Sequence, residues 1–197
     1  MPETYWNHNV HYQRLVLKLV PEDCAHALDV GCGDGLLAGK LAARVPYVTG
    51  VDRSDAAIAM ARERRPGNVS FVAGDYLDGR LPDGKYDLVT AVAVVHHADF
   101  GEAMDALVRL LAPGGRLVIV GHARDRTLLD GVVRLSGQAV SHVLKLFHGG
   151  KRGPGVPVMD PVMSWGEVGR AARRLLPGCR FRRLLLRRYL LVWDRPR

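Results

Sequence analysis

Cysteine is scarce in this chain. Cys24, Cys32 and Cys179 are odd in number and widely spaced, which suits neither a disulfide framework nor a zinc site. No apolar run is long enough to span a bilayer, and Met1-Pro2-Glu3-Thr4 lacks the basic-then-apolar order of a signal peptide. A cytoplasmic protein with no membrane partner is expected. Internal repeats and a separate second domain are also missing. The 197 residues, 48% of them hydrophobic, read as one domain with chain enough for a central sheet between two helical layers. Lysine is sparse beside arginine, and the net charge of +8 is unevenly placed: ten arginines and one acid, Asp194, lie between Arg170 and the C-terminus. Clustered cations suit nucleic acid. They also suit a solvated helix face and an edge hairpin, where charge deters edge pairing, and this second reading is preferred because arginine is abundant along the whole chain.

What is present alternates. Apolar runs at 26–30, 47–51, 69–73, 86–92 and 116–120 are separated by helical patterns at 36–44, 54–64 and 102–111. Strands alternating with helices give a parallel, doubly wound sheet. Pro113-Gly114-Gly115 is read as the turn into the fifth strand. Ser164 caps a helix to Leu176, and two closing strands, about 180–186 and 189–193, are too close in sequence to be anything but an antiparallel hairpin. From 121 to 163 the rhythm breaks. A longer helix is expected over about 125–147, followed by the glycine- and proline-rich loop Gly149–Pro157, so this insertion is a candidate lid. Residues 5–20 form a short helix ended by Pro21. Its Tyr5, Trp6, His8, His11 and Tyr12 fit either packing or a flap (residues 1–21) over a ligand, with His8, His11 and Tyr12 on the substrate side.

The most informative stretch is Ala27-Leu28-Asp29-Val30-Gly31-Cys32-Gly33-Asp34-Gly35. It joins a buried strand to a helix through a turn where glycine permits positive φ and close approach of a ligand to the backbone, beneath the free N–H groups of the helix. Asp52 ends the second strand, where a carboxylate can accept from both ribose hydroxyls. The G-x-G-x-G spacing lacks the last glycine of the dinucleotide pattern, and no Gly-Lys-Ser/Thr follows. Asp29 and Asp34 beside the turn would repel a pyrophosphate. They suit a ligand carrying an ammonium and a positive sulfur.

On these residues the sequence resembles the class I S-adenosylmethionine-dependent methyltransferases, particularly the small ones acting on metabolites. Leu28–Gly35, Val51-Asp52-Arg53-Ser54, Ala73-Gly74-Asp75-Tyr76, Tyr86-Asp87-Leu88-Val89 through His96-His97-Ala98-Asp99, and Leu111–Leu117 match that family's motifs in order and spacing. The resemblance implies a Rossmann-like seven-stranded mixed α/β sheet with an antiparallel last strand, in three α/β/α layers. It implies S-adenosylmethionine as cofactor and S-adenosylhomocysteine as product. It assigns backbone contacts to Gly31, Cys32, Gly33 and Gly35, the methionine ammonium to Asp29, the ribose to Asp52, and the adenine to Arg53, Asp75 and Tyr76.

His96 and His97 follow the fourth strand, at the edge where ligands bind in such sheets. Their imidazoles are candidate general bases, or they shape the cofactor site; His122 is another candidate. No Asn/Asp-Pro-Pro-Tyr/Phe follows the fourth strand, no cysteine stands near strands four or five, and no carboxylate cluster suggests magnesium, so no metal is implied. O-, N- or C-methylation of a small molecule is the expectation. An RNA methyltransferase using the C-terminal arginines, and a non-methylating protein on the same fold, are the alternatives.

Overall fold

The structure, a computed structural model, describes residues 5–63, 66–124 and 161–197. Five strands, β1 (His26–Val30), β2 (Tyr47–Asp52), β3 (Val69–Ala73), β4 (Tyr86–Val92) and β5 (Leu111–His122), are joined by α2 (Leu36–Leu41), α3 (Asp55–Glu63) and α4 (Phe100–Leu110). Helix α1 (His8–Leu17) precedes them; α5 (Trp165–Leu175), β6 (Arg180–Leu184) and β7 (Arg188–Asp194) follow. The sheet order is β3-β2-β1-β4-β5-β7-β6, parallel from β3 to β5 and antiparallel at β7 and β6.

Burial on both faces explains why β1 and β4 read as nearly continuous apolar runs. One core packs the sheet against α4 and α5 around Tyr86, Met104, Leu107 and Trp165; the other packs α1, α2 and α3 around Val16, Leu41, Ile58 and Phe71. Helix starts are fixed by side chains. Asn7 accepts from the N–H groups of Asn9 and Val10, Asp99 accepts from Gly101 and Glu102, and Ser164 and Glu167 form a capping box.

Several boundaries differ from expectation. Helix α2 ends at Leu41 because Arg44 N–H bonds back to the carbonyl of Leu41, a tightened last turn. Pro113-Gly114-Gly115 does not precede the fifth strand but lies within it. Tyr86 pairs with Leu111 and Leu88 with Arg116, so the intervening residues bulge, with Gly114 at φ 78°. Gly121 and His122, placed in the expected lid insertion 121–163, instead complete β5, and Arg124 bridges to Ser164. The expected helix and loop over 125–157 fall outside the described residues. The closing hairpin is antiparallel as expected, and its turn places Leu186 and Arg187 at φ 58° and 57°.

Candidate functional site

Strand β1 ends at the floor of a cavity of about 390 Å³, within the range of small-molecule sites. Its wall includes Asp29, Gly31, Gly33, Asp52, Asp75 and His97. The glycine turn is shaped by what surrounds it. Gly31 (φ 64°) lies so close to Val94 that a Cβ would fall 2.2 Å from its methyl, and a Cβ on Gly35 (φ 76°) would fall 2.6 Å from the Phe71 ring. Gly33 (φ 55°) faces open space. Two glycines serve packing; the middle one leaves room for a ligand.

The acids around the turn are held differently. Asp29 is 2% exposed. Its Oδ1 accepts from the Thr90 hydroxyl at 2.9 Å, while its buried Oδ2 has no partner. Burial pushes its pKa up to about 7, against the Thr90 hydrogen bond, which lowers it. Asp52 accepts from Gly33 N–H through Oδ2 and from Ser54 N–H through Oδ1, both at 2.9 Å. One acceptor direction per oxygen remains for a ligand. Asp75 accepts from Leu77 N–H, and its Oδ2 stands 3.8 Å from the exposed Arg53 guanidinium. Tyr76 borders the cavity with its ring in the core and its buried hydroxyl unpartnered. Cys32 is buried and raised far above the usual thiol range, by burial first and then by Asp29 and Asp52; it is inert filling.

The histidine pair divides. In the 3-10 turn Val95–His97, His97 lines the cavity. His96 packs against His122, with Nε2 3.4 Å from His122 Nδ1. Burial, then His97, pulls His96 down to about 4. Burial, then Arg53, lowers His97; burial, then Arg188, lowers His122. All three imidazoles are neutral at neutral pH.

At the N-terminus, Tyr5, Asn7, Asn9 and Gln13 line the cavity, and the Tyr5 hydroxyl donates to Asp34 Oδ1 at 3.0 Å. His8, His11 and Tyr12 do not border it. His8 and His11 pack edge-on to Trp6, and the Tyr12 hydroxyl donates to the Leu185 carbonyl. Asn7, Asn9, Gln13 and Thr90 were not foreseen. Asparagine before an apolar helical pattern signals a cap but not a cavity wall.

Half of the C-terminal arginines are used inside the fold. Arg188 is buried, Arg195 donates to the carbonyls of Val108 and Leu111, Arg180 pairs with Asp194, Arg173 donates to Gly169 O, and Arg183 stacks on Trp165. Among the described residues, no group of three or more His, Cys, Asp or Glu is arranged to hold a metal, and no helix is long and apolar enough to cross a membrane.

A buried carboxylate with one unpartnered oxygen beside the glycine turn, with a second carboxylate one strand away, fits a ligand that is both cationic and a nucleoside. Comparison with known proteins agrees. A methyltransferase-domain family model matches residues 28–119. An uncharacterized methyltransferase of Mycobacterium tuberculosis is 36% identical over 195 residues, 97% of this chain and 98% of that one. A demethylmenaquinone methyltransferase of Thermus thermophilus is 41% identical over 99 residues, 47% of this chain and 45% of that one. Among solved structures, a Pyrococcus horikoshii protein superposes with a TM-score of 0.68 at 21% identity, covering 94% of this chain and 88% of that chain. The chain belongs to the class I S-adenosylmethionine-dependent methyltransferases. Its cofactor is S-adenosylmethionine and the product derived from it is S-adenosylhomocysteine.

Proposed function

We propose that this methyltransferase acts on a small-molecule acceptor in the cytoplasm, with His97 as the group beside the reacting atoms. The observation that carries the reading is the sharing of one cavity by Asp29, Asp52 and the neutral His97 imidazole, with Tyr5, Asn7 and Asn9 of the N-terminal segment also in its wall. A cavity of about 390 Å³ is of the size that holds small molecules. The Thermus relative named for demethylmenaquinone supports a small acceptor. At least five arginines of the C-terminal cluster, Arg173, Arg180, Arg183, Arg188 and Arg195, make contacts within the fold, which favours a structural use of that cluster over RNA binding.

Residue by residue, Asp29 Oδ2 would take the ammonium of the cofactor, Asp52 its ribose hydroxyls, and Asp75 with Arg53 and Tyr76 its adenine. Bound S-adenosylmethionine supplies an electrophilic methyl on a positively charged sulfur. The protein's contribution is largely alignment, because an in-line displacement with a good leaving group needs positioning above all. For a hydroxyl or amine acceptor, His97 Nδ1 or Nε2 accepts the proton lost from the nucleophile; a neutral imidazole is the form that can.

The test is calorimetric binding of S-adenosylmethionine followed by transfer of labelled methyl into a metabolite extract. Label in a nuclease-resistant product of low mass is expected. Label only in RNA, or none despite cofactor binding, would overturn the reading.

A further inference from the structure

Arg188 opens β7 and is 7% exposed. Its Nη2 donates to Asn9 Oδ1 at 2.8 Å and its Nη1 to Leu186 O at 3.3 Å, while its Nε is buried with no acceptor. Among the described residues no carboxylate faces it. Burial pulls its pKa down to about 10, partly offset by Tyr12, so the guanidinium keeps its charge at neutral pH. A buried cation without a counter-charge is destabilising unless something else supplies one.

The described neighbours of Arg188 supply none. Its cross-strand partner is His122, which faces His96, and His96 Nδ1 is likewise buried without a partner. Two neutral imidazoles can share only one N–H between them, so the cluster presents a charge and spare ring nitrogens. It adjoins the cofactor cavity on two sides. Asn9, which takes Nη2 of Arg188, lines the cavity, and so does His97, whose ring lies 4.1 Å from that of His96. The cluster also sits at the ends of β5 and β7, on the side of the sheet where the chain leaves towards residue 124.

We propose that Arg188, with His122 and His96, forms an oxyanion subsite that holds the methyl acceptor by a carboxylate or phosphate group. The acceptor brings the counter-charge that the described residues do not supply, and the guanidinium Nε and a histidine N–H are the donors that receive it. The inference rests on the small-acceptor reading, which it narrows to acceptors carrying an anionic group.

The experiment uses three probes on protein saturated with S-adenosylhomocysteine, and again on protein without it: 4-hydroxybenzoate, phenyl phosphate and the neutral 4-hydroxybenzamide. Binding is read from the histidine ring resonances. At least one anion is expected to shift the His96 and His122 signals and to bind about tenfold more tightly than the amide; which anion does so separates a carboxylate from a phosphate acceptor. Arg188→Gln is expected to abolish the preference and Arg188→Lys to retain part of it, with S-adenosylmethionine affinity unchanged. Equal binding of amide and anions, the same preference in Arg188→Gln, or no ring shift at about 10 mM probe would overturn the subsite. The wild-type preference decides the matter even if Arg188→Gln does not fold. Because the readout needs neither turnover nor a bound cofactor, loss of methyl transfer and loss of the subsite are distinguishable.

Discussion

The two halves of the sheet carry opposite chemistry near the cavity, which the acids and His97 border and which His96, His122 and Arg188 lie behind. On the β1–β3 side stand Asp29, Asp34, Asp52 and Asp75, with one exposed cation, Arg53, among the cavity residues. On the β4–β5–β7 side stand His96, His97, His122 and Arg188, with no acid beside them in the described residues. Asp75 and one oxygen of Asp52 are held by local backbone N–H groups, those of Leu77 and Ser54, while Gly33 N–H and the Thr90 and Tyr5 hydroxyls reach Asp52, Asp29 and Asp34 from farther along the chain. Arg188 is likewise held both locally, by Leu186 O, and from far along the chain, by Asn9. A cationic nucleoside cofactor suits the first half, and the anion-bearing acceptor proposed above would suit the second.

The sharpest way to break the acidic half is Asp52→Ala. It removes the acceptor that positions Gly33 and starts α3 through Ser54 together with the proposed ribose contact. Hydrogen bonds to a charged group contribute about 1.5–3 kcal/mol each. S-adenosylmethionine affinity should fall by about 100-fold or more in calorimetry, with a lower melting temperature. Retained affinity would move the ribose elsewhere.

Asp29→Asn tests the orphaned carboxylate with a smaller effect. Asp29 in the free protein titrates near 7, above its ordinary 3.8. The folded-state pKa is the higher one, so the stability this group contributes is present below 3.8 and lost as pH rises through about 7. The ammonium of the cofactor favours the ionised form. Affinity for S-adenosylmethionine should therefore rise as pH rises through about 7, with a proton released on binding below that point. Asp29→Asn should lose about tenfold in affinity at high pH, lose the pH dependence, and melt higher than wild type without ligand. A variant that keeps the wild-type pH profile would remove Asp29 from cofactor binding.

The contrast between the halves is also one of legibility. Asp29, Asp52 and Asp75 each stand at or within two residues of the end of an apolar run that is recognisable on its own, so the candidate cofactor cradle could be read from local chain order. The basic half could not. That His97 meets the cavity while His96 backs onto His122 depends on a 3-10 turn and on a strand far along the chain. Arg182, Arg183, Arg187 and Arg188 look alike in sequence, yet only Arg188 is buried. The turn that directs it inward uses Leu186 and Arg187 in left-handed conformations, where Asn-Gly would have signalled the geometry. Pro113-Gly114-Gly115 misled in the opposite direction, since a bulge and a turn use the same residues. Thr90 beneath Asp29 is set by β1–β4 register, which no local pattern reveals.

Within the basic half, His97→Ala and His96→Ala should separate. Loss of a positioned base lowers turnover by about 100-fold, so His97→Ala should do so with S-adenosylmethionine affinity intact. His96→Ala should cost less, acting through the ring 4.1 Å from its own. Burial lowers His97 from its ordinary 6.5, so the acidic limb of turnover should fall below that pH. Equal losses in both variants would argue that the pair only shapes the cavity, and unchanged turnover in both would leave the acceptor without a histidine base.

The smallest effect is expected where charge is densest. Arg170, Arg174 and Arg182 are exposed on α5 and β6, outside the cavity wall. Exposed substitutions of this kind stay within about 0.5 kcal/mol, so Arg170→Gln/Arg174→Gln/Arg182→Gln should melt as wild type does and transfer methyl to a small acceptor at an undiminished rate. An interface with a polyanion would behave otherwise, since each neutralised phosphate contact removes about one unit of salt dependence. Raising the salt should therefore leave turnover of the wild type and the triple variant alike. A salt-sensitive rate in the wild type that flattens in the variant would reverse the assignment of roles, making the arginine face, rather than Arg188 alone, the part of the basic half that meets the substrate.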